Sequence, residues 1–439
     1  MRGDSNLSVI LEMWPKESGH IFKCMMNQSS NASFESLGIS PKLLEILKQH
    51  NYLTPTPIQH QAIQPALEGK DIVGIAQTGT GKTLAFGIPM IERLAKNKGK
   101  GLILLPTREL AIQVEETLQK IGRQLGLKTV VLIGGAPIGR QKEMLRRNPH
   151  VIIATPGRLV DHLQQRTVSL HDVKIAVLDE ADRMLDIGFA PQIKEILALV
   201  PTDRQTMLFS ATMPNAIAGL AVKYMKLPIR IEVAPAGTAA SLVEHEVFIV
   251  SREMKMQLLD KLLTDTKGSV LVFSRTKHGA KKIAANIRHM GHEAVEMHSD
   301  RSLAQRRAAL EGFKMGRFRI LVATDIAARG IDVSGIELVI NYDLPANSED
   351  YVHRIGRTGR AGKSGKAVSF AAPEERGDIK QIERLIRKTL AILPLPVLPP
   401  RRTPPPKPSF QPGGFKPHFA HGQKPQHKFQ RRFGNNSSR

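Results

Sequence analysis

The sequence predicts two consecutive α/β domains, each a parallel sheet wrapped by helices. Three observations predict it. Short apolar runs of strand length alternate with longer stretches of helical spacing, the alternation occurs in two separate series, and a segment of small residues with no apolar period divides them. The length agrees, since 439 residues exceed one ordinary domain.

Residues 1–32 show no sustained periodicity and read as a disordered extension, with structure expected from Phe34 onward. Met25 and Met26 leave the native start open. The first domain, residues 33–233, carries DIVGIA, GLILLPT, TVVLIGG, HVIIATP, KIAVLDE and QTMLFSA, each followed by amphipathic spacing, which implies parallel strands with crossover helices. Residues 234–242 include APAGTAA and read as a flexible linker. The second domain, residues 243–390, repeats the pattern with EHEVFIV, SVLVFS, EAVEMHS, RILVATD, ELVINYD and GKAVSFA. Residues 391–439 read as a disordered basic tail. Between 394 and 439 lie eleven prolines, nine Lys or Arg, five Phe and no acidic residue, a composition that cannot bury a core. Such a tail serves either as a solubilising spacer or as a contact for single-stranded nucleic acid, through phosphate attraction and base stacking. Its histidines, His418, His421 and His427, have no ordered frame and do not read as a metal site.

Lys plus Arg outnumber Asp plus Glu by 63 to 40, a formal charge of +23, which favours a polyanion such as nucleic acid, with an anionic membrane surface as the alternative. No apolar run reaches the roughly 18 residues that span a bilayer. The opening MRGDSNLSVILEMW contains Asp4 and Glu12 and lacks a signal-peptide core. Cys24 is the only cysteine, so neither an intrachain disulfide nor a multi-cysteine zinc site is available, which fits a reducing cytoplasm.

The chemistry concentrates in AQTGTGKT, residues 76–83, between a predicted strand and a predicted helix. That context suits a phosphate loop. Ala76, Gln77, Thr78, Gly79, Thr80 and Gly81 would present backbone N–H groups, Lys82 would reach the terminal phosphates, and Thr83 would place its hydroxyl on Mg²⁺. The first position of the strict pattern is glycine and here is Ala76; the closing GKT is intact. DEAD, residues 179–182, follows another predicted strand, so its carboxylates emerge where open parallel sheets bind ligands. Asp179 would hold Mg²⁺, and Glu180 would orient and deprotonate an attacking water. These two halves make a nucleoside triphosphatase site. HRIGRTGR, residues 353–360, lies so far downstream that the site is expected to span a cleft between domains.

With these motifs the chain resembles the DEAD-box ATP-dependent RNA helicases from about Phe34 to about Arg387. NYLTPTPIQ, residues 51–59, is similar to the Q motif, and Phe34 stands 17 residues upstream as that pattern asks. The resemblance implies two RecA-like domains, ATP with Mg²⁺, and RNA as partner. It assigns Gln59 to the adenine edge, Tyr52 to stacking on the ring and Asp332 to the ribose. PTREL (106–110), Gly134 with Gly135, and TPGR (155–158) imply RNA-backbone contacts through Pro106, Arg108, Gly135, Thr155 and Arg158. FSRTK (273–277) and ATDIAARGID (323–332) imply the same for Arg275 and Thr324. SAT (210–212) and His353 are similar to the residues that couple hydrolysis to strand separation, here Ser210 and Thr212. Arg357 and Arg360 resemble arginine fingers. HSDRSLAQR (298–306) has Ser299 where the family commonly has glycine, so its RNA role carries over only weakly. Without the family, Thr155 and Ser210 would read as helix caps or turn formers.

The resulting expectation is a monomeric cytoplasmic helicase without a membrane partner, most like the bacterial RhlE-type branch, its tail reaching protein or ribosomal partners. Two rivals stay open. One is an ATP-driven DNA translocase; the other is a non-catalytic RNA-binding or annealing protein.

Overall fold

A computed structural model describes residues 33–77, 79–233, 243–328, 333, 335–359 and 365–400. The first domain opens with a tight turn at Phe34–Leu37 and helices α1 (Pro41–Gln49) and α2 (Pro57–Leu67). Each helix starts on proline, whose missing N–H would have had no partner there. Next come β1 (Ile72–Ile75), α3 (Lys82–Lys96), β2 (Lys100–Leu104), α4 (Arg108–Gly122), β3 (Thr129–Leu132), α5 (Ile138–Arg146), β4 (Val151–Ala154) and α6 (Pro156–Gln164). The domain closes with β5 (Val173–Leu178), α7 (Ala181–Asp186), α8 (Ala190–Leu199), β6 (Gln205–Ser210), α9 (Asn215–Tyr224) and β7 (Ile229–Glu232). The second runs through β8 (Val243–Ile249), α10 (Lys255–Asp265), β9 (Val270–Phe273), α11 (Lys277–His289), β10 (Ala294–Met297), α12 (Leu303–Lys314), β11 (Ile320–Ala323) and α13 (Asp325–Ala328). It ends with β12 (Leu338–Asn341), α14 (Ser348–Ile355), β13 (Gly365–Ala371), α15 (Arg376–Ile386) and β14 (Ala391–Leu393).

Both sheets are parallel and seven-stranded. Their orders, β3-β4-β2-β5-β6-β1-β7 and β10-β11-β9-β12-β13-β8-β14, are the same permutation once the second is renumbered from its first strand. The two series therefore share a topology although their sequences do not visibly repeat. Inner strands are buried on both faces: in β2, Ile103 faces one core cluster while Leu102 and Leu104 face the other. In β9, Val270 and Val272 likewise oppose Leu271 and Phe273. Helices on both sides must cover such a sheet, which is why the runs read as continuously apolar.

Two edge strands are absent from the sequence reading. β7 pairs with β1 and β14 with β8, but β7 buries only Ile231, and β14 is a three-residue piece without a fully buried side chain. Short, exposed and charged edges carry little apolar signal. β14 also corrects the expected start of the tail. Residues 391–400 are not disordered: Leu393 and Leu398 pack on the second domain's core, and Gln257 Nε2 donates to Pro399 O at 2.8 Å. Two packed leucines, a hydrogen bond and a strand ladder outweigh the proline content there. The expected linker, the N-terminal extension and residues 401–439 lie outside the described residues.

Candidate active site and nucleic-acid interface

Strand order places the motifs. In the first sheet β5, β6 and β1 are neighbours, so DEAD, SAT and the phosphate loop leave adjacent carboxyl ends. β3, β4 and β2 form the other half, and their ends carry Gly134 and Gly135, TPGR and PTREL. The same division recurs in the second sheet, where β10, β11 and β9 lead into HSDR, ATDIAARG and FSRTK.

In the phosphate loop Gly79 and Gly81 have φ of +86° and +91°, the left-handed region that side chains resist. A Cβ on Gly81 would also overlap the Gln59 amide. Gln59 donates through Nε2 to Gly81 O at 3.0 Å and accepts from Thr56 N at 2.9 Å, tying the Q segment to the loop. Tyr52 is half-buried against the first core cluster. Lys82, at the start of α3, donates to Ala76 O at 3.1 Å and lies 3.6 Å from Asp179 Oδ1. Gln77 and Thr80 line the same loop, Thr80 Oγ1 donating to Gln77 O at 2.8 Å; Thr83 is half-buried on the first turn of α3.

Burial pushes the Asp179 carboxyl up to about 6, Lys82 opposing the rise and Glu180 and Asp182 adding to it. A buried carboxylate that Lys82 does not fully compensate, with the Thr83 hydroxyl adjacent in sequence to that lysine, is a donor set that suits a hard divalent cation. Glu180 adopts φ +50° and ψ +50°, a left-handed conformation unusual for a side-chain-bearing residue, and is buried. The next carboxylate links the motifs. Asp182 Oδ2 accepts from Ala211 N, Thr212 N and Thr212 Oγ1, each at 3.0 Å, and Ser210 Oγ accepts from Asp182 N at 3.3 Å. His353 Nε2, from the second domain, stands 4.0 Å from the same Asp182 oxygen.

Arg357 is 3% exposed and lines a cavity with Gln77, Ala211, Val352, His353 and Gly356, so the second domain places it in the cavity that Gln77 of the phosphate loop also lines. Arg354 is held away from it by Asp325, at 2.5 and 2.8 Å, and by its position over the Phe273 ring. Thr78, Asp332 and Arg360 lie outside the described residues.

On the other half, Arg108 lies under Gly134 and Gly135; a Cβ on Gly135, at φ +75°, would collide with its guanidinium. Burial lowers the Arg108 pKa, and the charges of Arg306 and Arg158 lower it further against Glu109, so three guanidiniums crowd one region. Such a region attracts a polyanion. Pro106 is buried at the end of β2, Thr155 stands at the N-cap of α6 without capping through its side chain, and Arg158 Nη1 donates to Ala136 O at 3.1 Å. Thr155 thus holds the N-cap position its residue type suggests but makes no capping bond with its hydroxyl, while the Ser210 hydroxyl accepts from the Asp182 backbone in the first turn of α7. In the second domain Thr324 N bonds Met297 O at 3.3 Å, and Arg275 grips Leu344 O and Glu375 while remaining 46% exposed.

The sequence reading missed the residues that join the domains. Arg183 and Asp350 form a buried ion pair across them, and Arg306 Nη2 lies 2.9 Å from Glu109 Oε1. Arg183 and Asp350 are 167 positions apart, and no local signal couples them.

Two family models match: DEAD/DEAH box helicase over residues 56–219 and helicase conserved C-terminal domain over residues 254–362. The ATP-dependent rRNA helicase RRP3 of Debaryomyces hansenii is 44% identical over 83% of this chain and 77% of its own. The DEAD-box ATP-dependent RNA helicase CshA of Bacillus cereus is 42% identical over 83% and 70%. Among solved structures, S. cerevisiae Dbp5 bound to RNA and ADP BeF3 matches with a TM-score of 0.74 at 31% identity, over 83% of this chain and 96% of that one. A DEAD box protein from Methanococcus jannaschii is 38% identical over 83% and 99% but superposes at only 0.51.

Proposed function

The chain belongs to the DEAD/DEAH box helicases and is an ATP-dependent RNA helicase, an RNA-stimulated ATPase; from that premise we propose how its residues divide the work. Residues 76–83 cradle the triphosphate, Lys82 reaching the terminal phosphates. Gln59 and Tyr52 select and stack the adenine, and Asp332 holds the ribose. Thr83 and Asp179 would hold Mg²⁺, which when bound would offset the charge of the phosphates. Glu180 orients and deprotonates the attacking water. Arg357 and Arg360 stabilise charge on the transferring group, a role worth about 10³-fold or more.

RNA lies along the arginine-rich half of both sheets, touching Pro106, Arg108, Gly135, Thr155, Arg158, Arg275 and Thr324. Backbone contacts of this kind carry little sequence information, so binding is largely sequence-independent. A strand held by both domains draws them together and completes the nucleotide site; bending that strand out of duplex geometry separates its partner. One observation carries the reading. Asp182 bonds the 211–212 backbone and faces His353, so a single carboxylate registers both the hydrolytic half and the arrival of the second domain. Ser210, Thr212 and His353 are the coupling residues on that account.

Phe34, the LGIS that starts at Leu37 and the short basic tail favour the RhlE-type branch, acting as a cytoplasmic monomer whose tail tethers RNA or ribosomal partners. The test is Glu180→Gln in the full chain: ATP turnover should fall more than about 10²-fold while RNA binding with ATP persists. Unwinding at the parental rate would overturn the reading. Equal stimulation by single-stranded DNA would favour the translocase.

A further inference from the structure

The loop that carries Gly134 and Gly135 is held from behind by a chain of buried polar groups that none of the motifs contains. Gln141, on α5 and 4% exposed, donates through Nε2 to Ile133 O at 3.1 Å and to Ala136 O at 3.3 Å, the two carbonyls that bracket the glycines. Ala136 O is the same oxygen that accepts from Arg158. Gln141 Oε1 stands 3.3 Å from Nε2 of His162, which is on α6 and fully buried; His162 Nδ1 lies 2.7 Å from Thr167 Oγ1.

Donor and acceptor capacity fixes which His162 nitrogen faces Gln141 with hydrogen. Because both Gln141 contacts to the loop are made by its NH₂ group, the amide is oriented and Oε1 can only accept. The His162 Nε2 facing it must therefore carry hydrogen. A neutral ring then offers a lone pair at Nδ1 to the Thr167 hydroxyl, whose single proton is shared between that nitrogen, at 2.7 Å, and His162 O, at 3.1 Å. Burial lowers the His162 pKa, the charges of Arg158 and Lys142 lower it further, and only Asp161 opposes them, which keeps the ring neutral.

We propose that His162 and Gln141 are positioning residues for RNA engagement: the relay Thr167–His162–Gln141 fixes the 133–136 loop, and with it Gly135 and the Arg158 guanidinium, at the geometry that accepts a phosphodiester. The inference rests on the proposed RNA role of that loop. Gln141 and His162 are buried, so removing either leaves a carbonyl or amide without its partner and lets the loop relax. The relay lies behind the β3-β4-β2 half of the sheet, away from the phosphate loop, and acts on RNA without touching ATP chemistry.

The experiment is RNA-stimulated ATPase of the full chain, titrated in single-stranded RNA and separately in ATP. Gln141→Leu and His162→Leu should each raise the RNA concentration for half-maximal activity about tenfold, leaving the rate at saturating RNA and the KM for ATP within about twofold. His162→Gln, whose amide can donate in place of Nε2–H, should restore most of the affinity. An unchanged RNA titration in folded Leu variants, a fall in saturated rate that matches the fall in affinity, or a His162→Gln as poor as His162→Leu would each overturn the proposal. Imidazole nitrogen NMR of the parent protein gives a readout that needs no variant: an Nε2–H tautomer supports the relay, and an Nδ1–H tautomer sinks it. Arg158→Ala separates the two layers of inference. If it weakens RNA while Gln141→Leu does not, the relay fails; if neither weakens RNA, the interface itself is misplaced.

Discussion

Asp350→Ala isolates the interdomain ion pair with Arg183. Arg183 and Asp350 have side chains 3% and 9% exposed, and after the change Arg183 would keep Asp186, at 3.9 Å, and the more distant charge of Glu349. Removing one partner of a buried pair costs about 3–5 kcal/mol, because the remaining charge loses both water and counter-charge. That cost exists only while the domains are together, since separation returns Arg183 to solvent; it falls on closure and not on the folding of either domain. Residual compensation by Asp186 puts the effect near the lower end, about 10²-fold in RNA-stimulated kcat/KM. Steady-state ATPase across an RNA titration measures it, with thermal melting as the control for folding. The double variant Arg183→Met with Asp350→Leu should recover to within about tenfold of the parent, because an apolar pair of similar volume often replaces a buried ion pair at little net cost. The reasoning is refuted if Asp350→Ala stays within twofold of the parent, or if the double variant is no better than the single one.

Asp179→Asn in metal-free, nucleotide-free protein should raise the melting temperature at pH 8 and not at pH 4. The folded carboxyl titrates at about 6 against 3.8 for the ordinary value, so the destabilisation sets in as pH rises between them and is complete above the upper one, at about 3 kcal/mol. Scanning calorimetry at the two pH values checks it, and equal shifts at both would remove desolvation as the cause. Gly81→Ala places a Cβ at positive φ and against Gln59, and should lose about 1–2 kcal/mol of stability together with most ATP affinity, read by melting and nucleotide titration. Lys255→Met removes the ammonium that donates to Tyr342 O at 2.9 Å and lies 3.6 Å from Asp343, the carboxylate that accepts from Arg275 N at 3.1 Å. RNA half-saturation should rise several-fold, with partial rescue by Lys255→Arg; a change confined to melting temperature would assign Lys255 to stability alone.

Much of the architecture was legible because parallel strands buried on both faces leave unbroken apolar runs, and a strand followed by Gly-Lys-Thr or by paired carboxylates announces where its carboxyl end lies. β7 and β14 were illegible for the converse reason: an exposed edge shows neither a run nor a clean alternation, as in Ile229 and Arg230. Composition over the whole tail averages away the few residues, Leu393 and Leu398, that pack. Among site residues, Lys82, Asp179, Glu180 and Arg357 stood inside contiguous motifs. Asp182 was within the DEAD motif, yet its bond to the 211–212 backbone belongs to the packing of β5 beside β6. His162 and Gln141 carry ordinary residue types on ordinary helices, and only their burial together turns them into a relay.

Taken alone, the sequence determined the repeated α/β pattern, the phosphate loop and its carboxylates, and the charge that suits a polyanion, because each of these is written in neighbouring residues or in bulk composition. Tertiary structure alone decided which motifs share a sheet edge, that Arg357 shares a cavity with Gln77 of the phosphate loop, and that Arg183 meets Asp350 and Arg306 meets Glu109. The physical reason is that strand order and domain closure minimise a free energy summed over contacts far apart in the chain, and such pairings leave no mark on either residue's local neighbourhood.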